Sequence, residues 1–96
     1  MTHNREPSEY RPAELLGYKW TVPVVTTLAD EPHRFNELRR AVGDASAKVL
    51  SDRLKQLEEI GIVSRTVLET NPPSVCYELT DRGRDLHRII VELEQL

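Results

Sequence analysis

The chain has 96 residues, of which 39% are apolar and 30% charged, with four glycines and six prolines. This composition is typical of one soluble globular domain and excludes a disordered chain, a fibrous chain and a two-domain protein. The net charge of −3 disfavours a uniformly basic nucleic-acid-binding protein, and the single cysteine excludes a disulfide framework and a zinc site built on several thiolates.

A membrane or secreted location is also disfavoured. The longest run without a charged residue, Trp20 to Ala29, is too short and too rich in threonine to cross a bilayer. The first residues, Met1 to Glu6, lack the apolar segment of a secretory leader. We therefore expect a cytoplasmic protein that does not contact a membrane.

The chain begins with a polar segment, residues 1–11, that predicts a flexible arm ahead of one domain over residues 12–96. From Pro12 a short helix is predicted, with Gly17 at its end. The buried face of that helix would carry Leu15 and Leu16.

The stretch from Trp20 to Leu28 is ambiguous on its residues alone. Its β-branched side chains favour a strand, whereas Pro23 also suits the first turn of a helix. Apolar periodicity does not decide between the two structures.

Two short helices separated by a turn are predicted in the middle of the chain. Asn36 can cap the first helix and Ser46 the second, and Gly43 and Gly61 end them. Apolar residues recur at spacings of three and four, at Leu38, Ala41 and Val42 in the first helix and at Ala47, Leu50, Leu54 and Leu57 in the second. Because the turn is short and contains a glycine, the pair is predicted to be a helix-turn-helix.

A hairpin and a last helix follow. Two β-branched runs, Ile62 to Thr70 and Val75 to Leu79, flank a proline pair that cannot continue a strand ladder. Thr80 can cap a helix over Asp81 to Leu96, in which Gly83 would allow close approach to the hairpin. The apolar face of this helix consists of Leu86, Ile89, Ile90, Leu93 and Leu96. The predicted fold is mainly α with a small β-hairpin wing, a winged helix-turn-helix.

The charges are unevenly distributed. Between Arg34 and Arg65 seven basic and five acidic residues give a local balance of +2, and the rest of the chain has a balance of −5. Nucleic-acid binding requires a local basic face rather than a basic protein. The charge pattern therefore allows DNA binding, although an ordinary solvated surface would look the same.

On a helical wheel at about 100° per residue, the polar residues of the second helix of the pair point away from its apolar stripe. Lys48, Ser51 and Asp52 are the candidates for reading base edges, and Ser46 caps amides that favour a phosphate. Arg53 flanks the stripe, where it can either brace the fold or reach the DNA backbone. The candidates for phosphate contacts are Arg34, Arg39, Arg40, Lys55 and Arg65.

No catalytic constellation is present in the sequence. His3, His33 and His87 lack metal-ligand spacing, and no nucleophile elbow or glycine-rich phosphate loop occurs. We expect no enzyme activity, no metal and no cofactor. Cys76 is predicted on the more polar face of its strand, where Glu69 and Glu78 would keep its thiol inert.

Several motifs together resemble a known family. They are Lys19-Trp20-Thr21, Arg34-Phe35-Asn36-Glu37-Leu38, Ser51-x-Arg53-Leu54 and Pro72-Pro73-x-Val75. Over about residues 12–93, the sequence resembles the HxlR-type winged-helix transcriptional regulators of bacteria and archaea, within the MarR-like group. The resemblance implies that Thr21 to Ala29 is helical and that the second helix of the pair enters the major groove.

The resemblance also implies a homodimer formed through the terminal helices. The dimerisation residues would be Leu15, Leu16, Leu86, Ile89, Ile90, Leu93 and Leu96. The chain departs from the family pattern in having no cysteine just before the first helix, so a mode of oxidant sensing based on that cysteine is not implied. Ser74 replaces the arginine that usually follows the proline pair, which weakens the case for phosphate contacts by the wing.

The function predicted from these features is sequence-specific transcriptional regulation, with a homodimer bound to a palindromic site on double-stranded DNA. A small-molecule effector is left open. The alternative function is a protein-interaction module that has kept the winged-helix fold but lost DNA binding, motivated by the net charge of −3 and the wing tip without arginine.

Overall fold

The computed structural model describes residues 17–43 and 45–96 as four helices and a three-stranded sheet. In chain order the elements are α1 (Thr21–Asp30), β1 (His33–Arg34), α2 (Phe35–Val42), α3 (Ala47–Glu59), β2 (Val63–Leu68), β3 (Ser74–Leu79) and α4 (Asp81–Glu94). This order confirms the predicted winged helix-turn-helix. The predicted arm over residues 1–11 and the predicted helix from Pro12, with Leu15 and Leu16, lie outside the described residues.

The ambiguous stretch after Trp20 is the helix α1. Trp20 takes a left-handed φ of 82° at the N-cap and turns the chain into the helix. Pro23 lies in the first turn, where backbone N–H groups have no partner within the helix and a missing one costs nothing. The buried face of α1 consists of Thr21, Val24, Val25 and Leu28.

The predicted cap of α2 was wrong. The helix begins two residues earlier than expected, with Arg34 rather than Asn36 at the N-cap. The Glu37 carboxylate accepts a hydrogen bond from the Arg34 backbone N–H at 2.8 Å, which is one half of a capping box. Leu38 is buried as predicted, whereas Ala41 is exposed because this two-turn helix contacts the core along a narrower line.

α3 begins and ends as predicted. The Ser46 hydroxyl accepts a hydrogen bond from the Val49 N–H at 3.1 Å. At the other end Gly61 takes a left-handed φ of 81°, and its N–H donates to the Glu58 carbonyl at 3.0 Å. A side chain at this φ would be strained, which explains the glycine.

The core-facing stripe of α3 is Leu50, Leu54 and Leu57, and each side chain is buried. Ala47 was predicted in this stripe but is exposed. Ala45, in the turn before the helix, is buried in its place, so the core contact of this segment begins before the helix does.

The sheet has the order β1-β3-β2, and both pairs are antiparallel. β2 and β3 form the predicted hairpin, with Val63 opposite Leu79 and Leu68 opposite Ser74. β2 is shorter than the predicted run from Ile62 to Thr70, because its pairing with β3 ends at Leu68. The two-residue strand β1 has no sequence pattern of its own and was not predicted.

α4 is tied closely to the hairpin. The Thr80 hydroxyl accepts a hydrogen bond from the Gly83 N–H at 3.0 Å and donates to the Gly61 carbonyl at 2.5 Å. A Cβ atom on Gly83 would lie 2.2 Å from the Ile62 carbonyl oxygen, far inside van der Waals contact. The predicted close approach at Gly83 is confirmed.

The apolar residues of α4 fall into two groups. Ile90 is buried and Leu86 packs partly against the core. Ile89 and Leu93 are each 53% exposed, and Leu96, two residues past the end of the helix, is fully exposed. The core therefore covers only one side of the predicted apolar face. None of the helices in the described ranges is both long enough and apolar enough to span a membrane.

Candidate nucleic-acid interface

The buried stripe of α3 determines which of its residues face solvent. Because Leu50, Leu54 and Leu57 point into the core, the residues on the opposite side of the helix face solvent. They include Lys48, Ser51, Asp52 and Lys55, all exposed, and we call these four the outer face. Glu59 lies in the same direction nearer the C-terminal end of the helix. The structure thus brings together the three predicted base readers and one predicted phosphate contact on one surface.

Within the outer face, Lys48 and Asp52 form an ion pair. Lys48 Nζ lies 3.1 Å from Asp52 Oδ2, one helical turn along, and the two side chains are 84% and 58% exposed. The two residues were predicted as separate candidates for base contacts. Their spacing of four residues was the signal that they could pair.

Arg39 holds the turn between α2 and α3. Its Nε donates a hydrogen bond to the Ala45 carbonyl at 3.0 Å. In the same turn Gly43 has a φ of 104°, and its N–H donates to the Arg39 carbonyl at 3.2 Å. The residue predicted as a phosphate contact thus ties the end of α2 to the turn before α3.

Arg53 braces α3 against the segment that precedes α1. Its Nε donates to the Lys19 carbonyl at 3.2 Å, and its guanidinium lies 4.6 Å from the centroid of the Tyr18 ring. It also contacts the Gln56 side-chain oxygen. The sequence left Arg53 either to brace the fold or to reach the DNA backbone, and these contacts are those of a residue that braces the fold.

Arg65 lies beside the outer face although it belongs to the wing, the β2–β3 hairpin. It is opposite Tyr77 in the strand register. Ser51, Lys55, Glu58, Arg65 and Tyr77 line a cleft of about 240 Å³ between α3 and the sheet. Arg65 and Lys55 therefore place two positive charges on the wing side of α3.

Arg34, the last residue of β1 and the N-cap of α2, and Arg40 on α2 lie beside a second cleft. Both are exposed. Together with Asn36, Ser74 and other neighbours they line a cleft of about 470 Å³ between α2 and the tip of the wing. Arg34 and Arg40 thus line one cleft and Lys55 and Arg65 another.

Two exposed valines were not predicted as functional residues. Val49, in the first turn of α3, is 37% exposed, and Val67 on the wing is 54% exposed. Apolar side chains at the start of a helix in the major groove can contact the thymine methyl group. The helical wheel could have identified Val49, since it lies about 100° from Leu50.

Cys76 is half-buried at the centre of the sheet, with Arg34 and Thr66 as its direct cross-strand neighbours. Glu69 was expected beside Cys76, but it lies beyond the end of β2. The prediction that Glu69 neighbours this thiol was therefore wrong. In residues 17–43 and 45–96, no group of three His, Cys, Asp or Glu side chains could hold a metal ion.

Comparison with known proteins agrees with this geometry. Residues 15–96 match the HxlR-like helix-turn-helix family. The chain belongs to the HxlR-like helix-turn-helix family. The transcriptional regulator YodB of Bacillus subtilis is 39% identical over 80 residues, covering 83% of this chain and 71% of YodB. BH0655 of Halalkalibacterium halodurans, an HTH-type transcriptional regulator by name, is 44% identical over 80 residues, covering 82% and 71% of the two chains.

Solved structures show the same fold. The reduced form of YodB from B. subtilis aligns with a TM-score of 0.79 and 35% identity, covering 90% of this chain and 89% of that one. A protein of Enterococcus faecalis assigned to the MarR family of transcriptional regulators aligns with a TM-score of 0.80 and 32% identity, covering 85% and 74%. This HxlR-like protein is thus a DNA-binding transcriptional regulator and not an enzyme, as predicted.

Proposed function

We propose that the protein binds a palindromic DNA site as a homodimer, with the α3 helix of each protomer in successive major grooves. The observation that carries this proposal is the outer face of α3, which is polar and exposed and lies opposite the buried stripe. The major groove is about 12 Å wide and admits one helix. A two-fold dimer would then span half-sites about one helical turn, roughly 10 bp, apart.

The residues around α3 would divide the work of binding. Lys48, Ser51 and Asp52 lie towards the N-terminal half of the helix, which meets base edges in helix-turn-helix proteins. Ser46 caps the amides that would receive a phosphate. The exposed cations Arg34, Arg40, Lys55 and Arg65 would neutralise phosphates and position the helix without selecting sequence. Arg39 and Arg53 would act through the fold, by fixing the orientation of α3.

The dimer would form through the exposed apolar side of α4. Ile89 and Leu93 are four residues apart on α4 and so lie on one side of the helix, and the exposed Leu96 follows just past its end. An exposed apolar patch on a monomer is typical of a protein–protein contact. Leu15 and Leu16 remain proposed members of the same interface, and the buried Ile90 and half-buried Leu86 would support it from the core side.

A protein with this function would work beside the DNA, in the cytoplasm of a bacterial or archaeal cell. An interaction module without DNA binding is the competing function. The observation that favours it is the wing: residues 66–76 contain no lysine or arginine.

Reversing two charges on the outer face separates the two functions. We expect Lys48→Glu with Lys55→Glu to weaken binding to a duplex enriched by the wild type about tenfold or more. Each lysine would neutralise a phosphate and so release its counterions, and Lys48 would also contact a base. The double variant should also flatten the salt dependence of binding, measured by fluorescence anisotropy.

The matched control is Arg84→Glu with Arg88→Glu, which makes the same change in net charge on the exposed polar side of α4. We expect the control to bind DNA nearly as the wild type does. Equal losses in the two double variants would show that only net charge matters, and an unchanged affinity in the α3 variant would favour the interaction module.

A further inference from the structure

We propose that Lys48 and Asp52 act as one unit that selects a G·C base pair in each half-site. This inference rests on the proposed function, in which α3 enters the major groove. Lys48 and Asp52 form an ion pair at the centre of the outer face, with Lys48 Nζ 3.1 Å from Asp52 Oδ2 and both side chains largely exposed. The pair therefore presents a positive donor and a negative acceptor side by side to whatever meets this face.

Both groups have hydrogen-bonding capacity left after pairing. An ammonium group has three N–H donors and a carboxylate has two oxygens with about four acceptor sites. The hydrogen bond between them uses one donor and Oδ2. Lys48 and Asp52 can thus stay paired while each also contacts a base edge.

The spacing of the pair matches the edge of a G·C base pair. In the major groove guanine presents the acceptors N7 and O6, and cytosine presents the donor N4–H. O6 and N4 are joined by a Watson–Crick hydrogen bond of about 2.9 Å. An ammonium and a carboxylate 3.1 Å apart can therefore lie one on each, with Lys48 donating to guanine and Asp52 accepting from cytosine.

An A·T base pair suits the same unit less well. Adenine N6–H, the only donor there, lies between the acceptors N7 and thymine O4. A carboxylate bound to adenine N6 would be repelled by two neighbouring acceptors, N7 and thymine O4. A carboxylate bound to cytosine N4 has only one neighbouring acceptor, guanine O6. Where thymine or guanine stands in place of cytosine, the carboxylate of Asp52 would face an acceptor instead of a donor, so its charge penalises those sequences.

The test compares two acidic residues on the same helix. Duplexes are selected from a random pool by the wild type, by Asp52→Asn and by Glu59→Gln. Glu59 is exposed and lies about 180° from Leu50, close to Asp52 in direction but two turns further along. Both substitutions remove one negative charge and preserve shape, and circular dichroism checks that both variants are folded.

We expect Asp52→Asn to reduce the preference for cytosine at one position of each half-site by roughly 5- to 150-fold, the discrimination of one good base contact. Adenine should gain there, since asparagine pairs with adenine N6 and N7. Glu59→Gln should instead raise affinity for all sequences alike, because it only removes repulsion from phosphates.

Identical base preferences in Asp52→Asn, Glu59→Gln and the wild type would overturn the inference, since Asp52 would then act only through its charge. That outcome would leave the proposed function intact, because a sequence would still be selected. If the wild type itself enriches no sequence, the regulator function fails and the base readout fails with it.

Discussion

Replacing Ile89 and Leu93 by glutamate is expected to convert the protein to a monomer and to weaken its binding to a palindromic duplex at least 100-fold. Both side chains are 53% exposed in the isolated chain, so glutamate at these positions does not disturb the core. In a dimer they would be buried, and a pair of uncompensated carboxylates would prevent association. The loss in affinity follows because two linked half-site contacts bind roughly 10²- to 10⁴-fold more tightly than one.

Sedimentation velocity and fluorescence anisotropy measure the two effects. The control is again Arg84→Glu with Arg88→Glu, on the polar side of the same helix, which should remain a dimer. A glutamate variant that sediments as a dimer would rule out the Ile89 and Leu93 surface as the interface. A variant that is monomeric but binds DNA as tightly as the wild type would rule out cooperative binding to two half-sites.

Gly83→Ala is expected to destabilise the fold by about 3 kcal/mol, the upper part of the range for overpacking. Helix propensity alone predicts the opposite sign, since alanine stabilises a helix by about 0.5–1 kcal/mol relative to glycine. The clash decides the sign, because the new Cβ would lie 2.2 Å from the Ile62 carbonyl oxygen and 2.9 Å from Leu79 Cδ2. The carbonyl cannot withdraw easily, since it accepts the Thr80 N–H at 3.1 Å.

Urea unfolding at one fixed protein concentration measures this effect, because dimerisation would make stability depend on concentration. Arg84→Ala is the control: it introduces the same alanine at the next, exposed residue and should change the free energy of unfolding little. A Gly83→Ala variant as stable as the wild type would show that α4 can move away from the hairpin at no cost.

Features that depend on a few neighbouring residues could be predicted from the sequence. Ser46 and Thr80 cap their helices as expected, because a hydroxyl three residues before a free amide needs no other element. Gly61 ends α3 for an equally local reason. The outer face was also predictable, since the spacing of Leu50, Leu54 and Leu57 alone orients the helix.

Features that depend on distant partners could not be predicted in this way. Asn36 is a good cap by its chemistry, but α2 begins earlier because β1 pairs with β3 and brings Arg34 opposite Cys76. The bracing contacts of Arg53 and the contact of Arg39 with Ala45 likewise require the tertiary fold. For Arg53 the sequence left bracing and DNA contact open, and for Arg39 it indicated only a phosphate contact, so neither partner could be named in advance.

The role of α3 in DNA binding is tested most directly by titrating isotope-labelled protein with its selected duplex and following backbone amide resonances by NMR. We predict the largest shifts in residues 46–55, with smaller ones at Arg34, Arg40 and Arg65, and little change along α4. The largest shifts in α4, with residues 46–55 unchanged, would contradict a DNA-binding surface centred on the outer face.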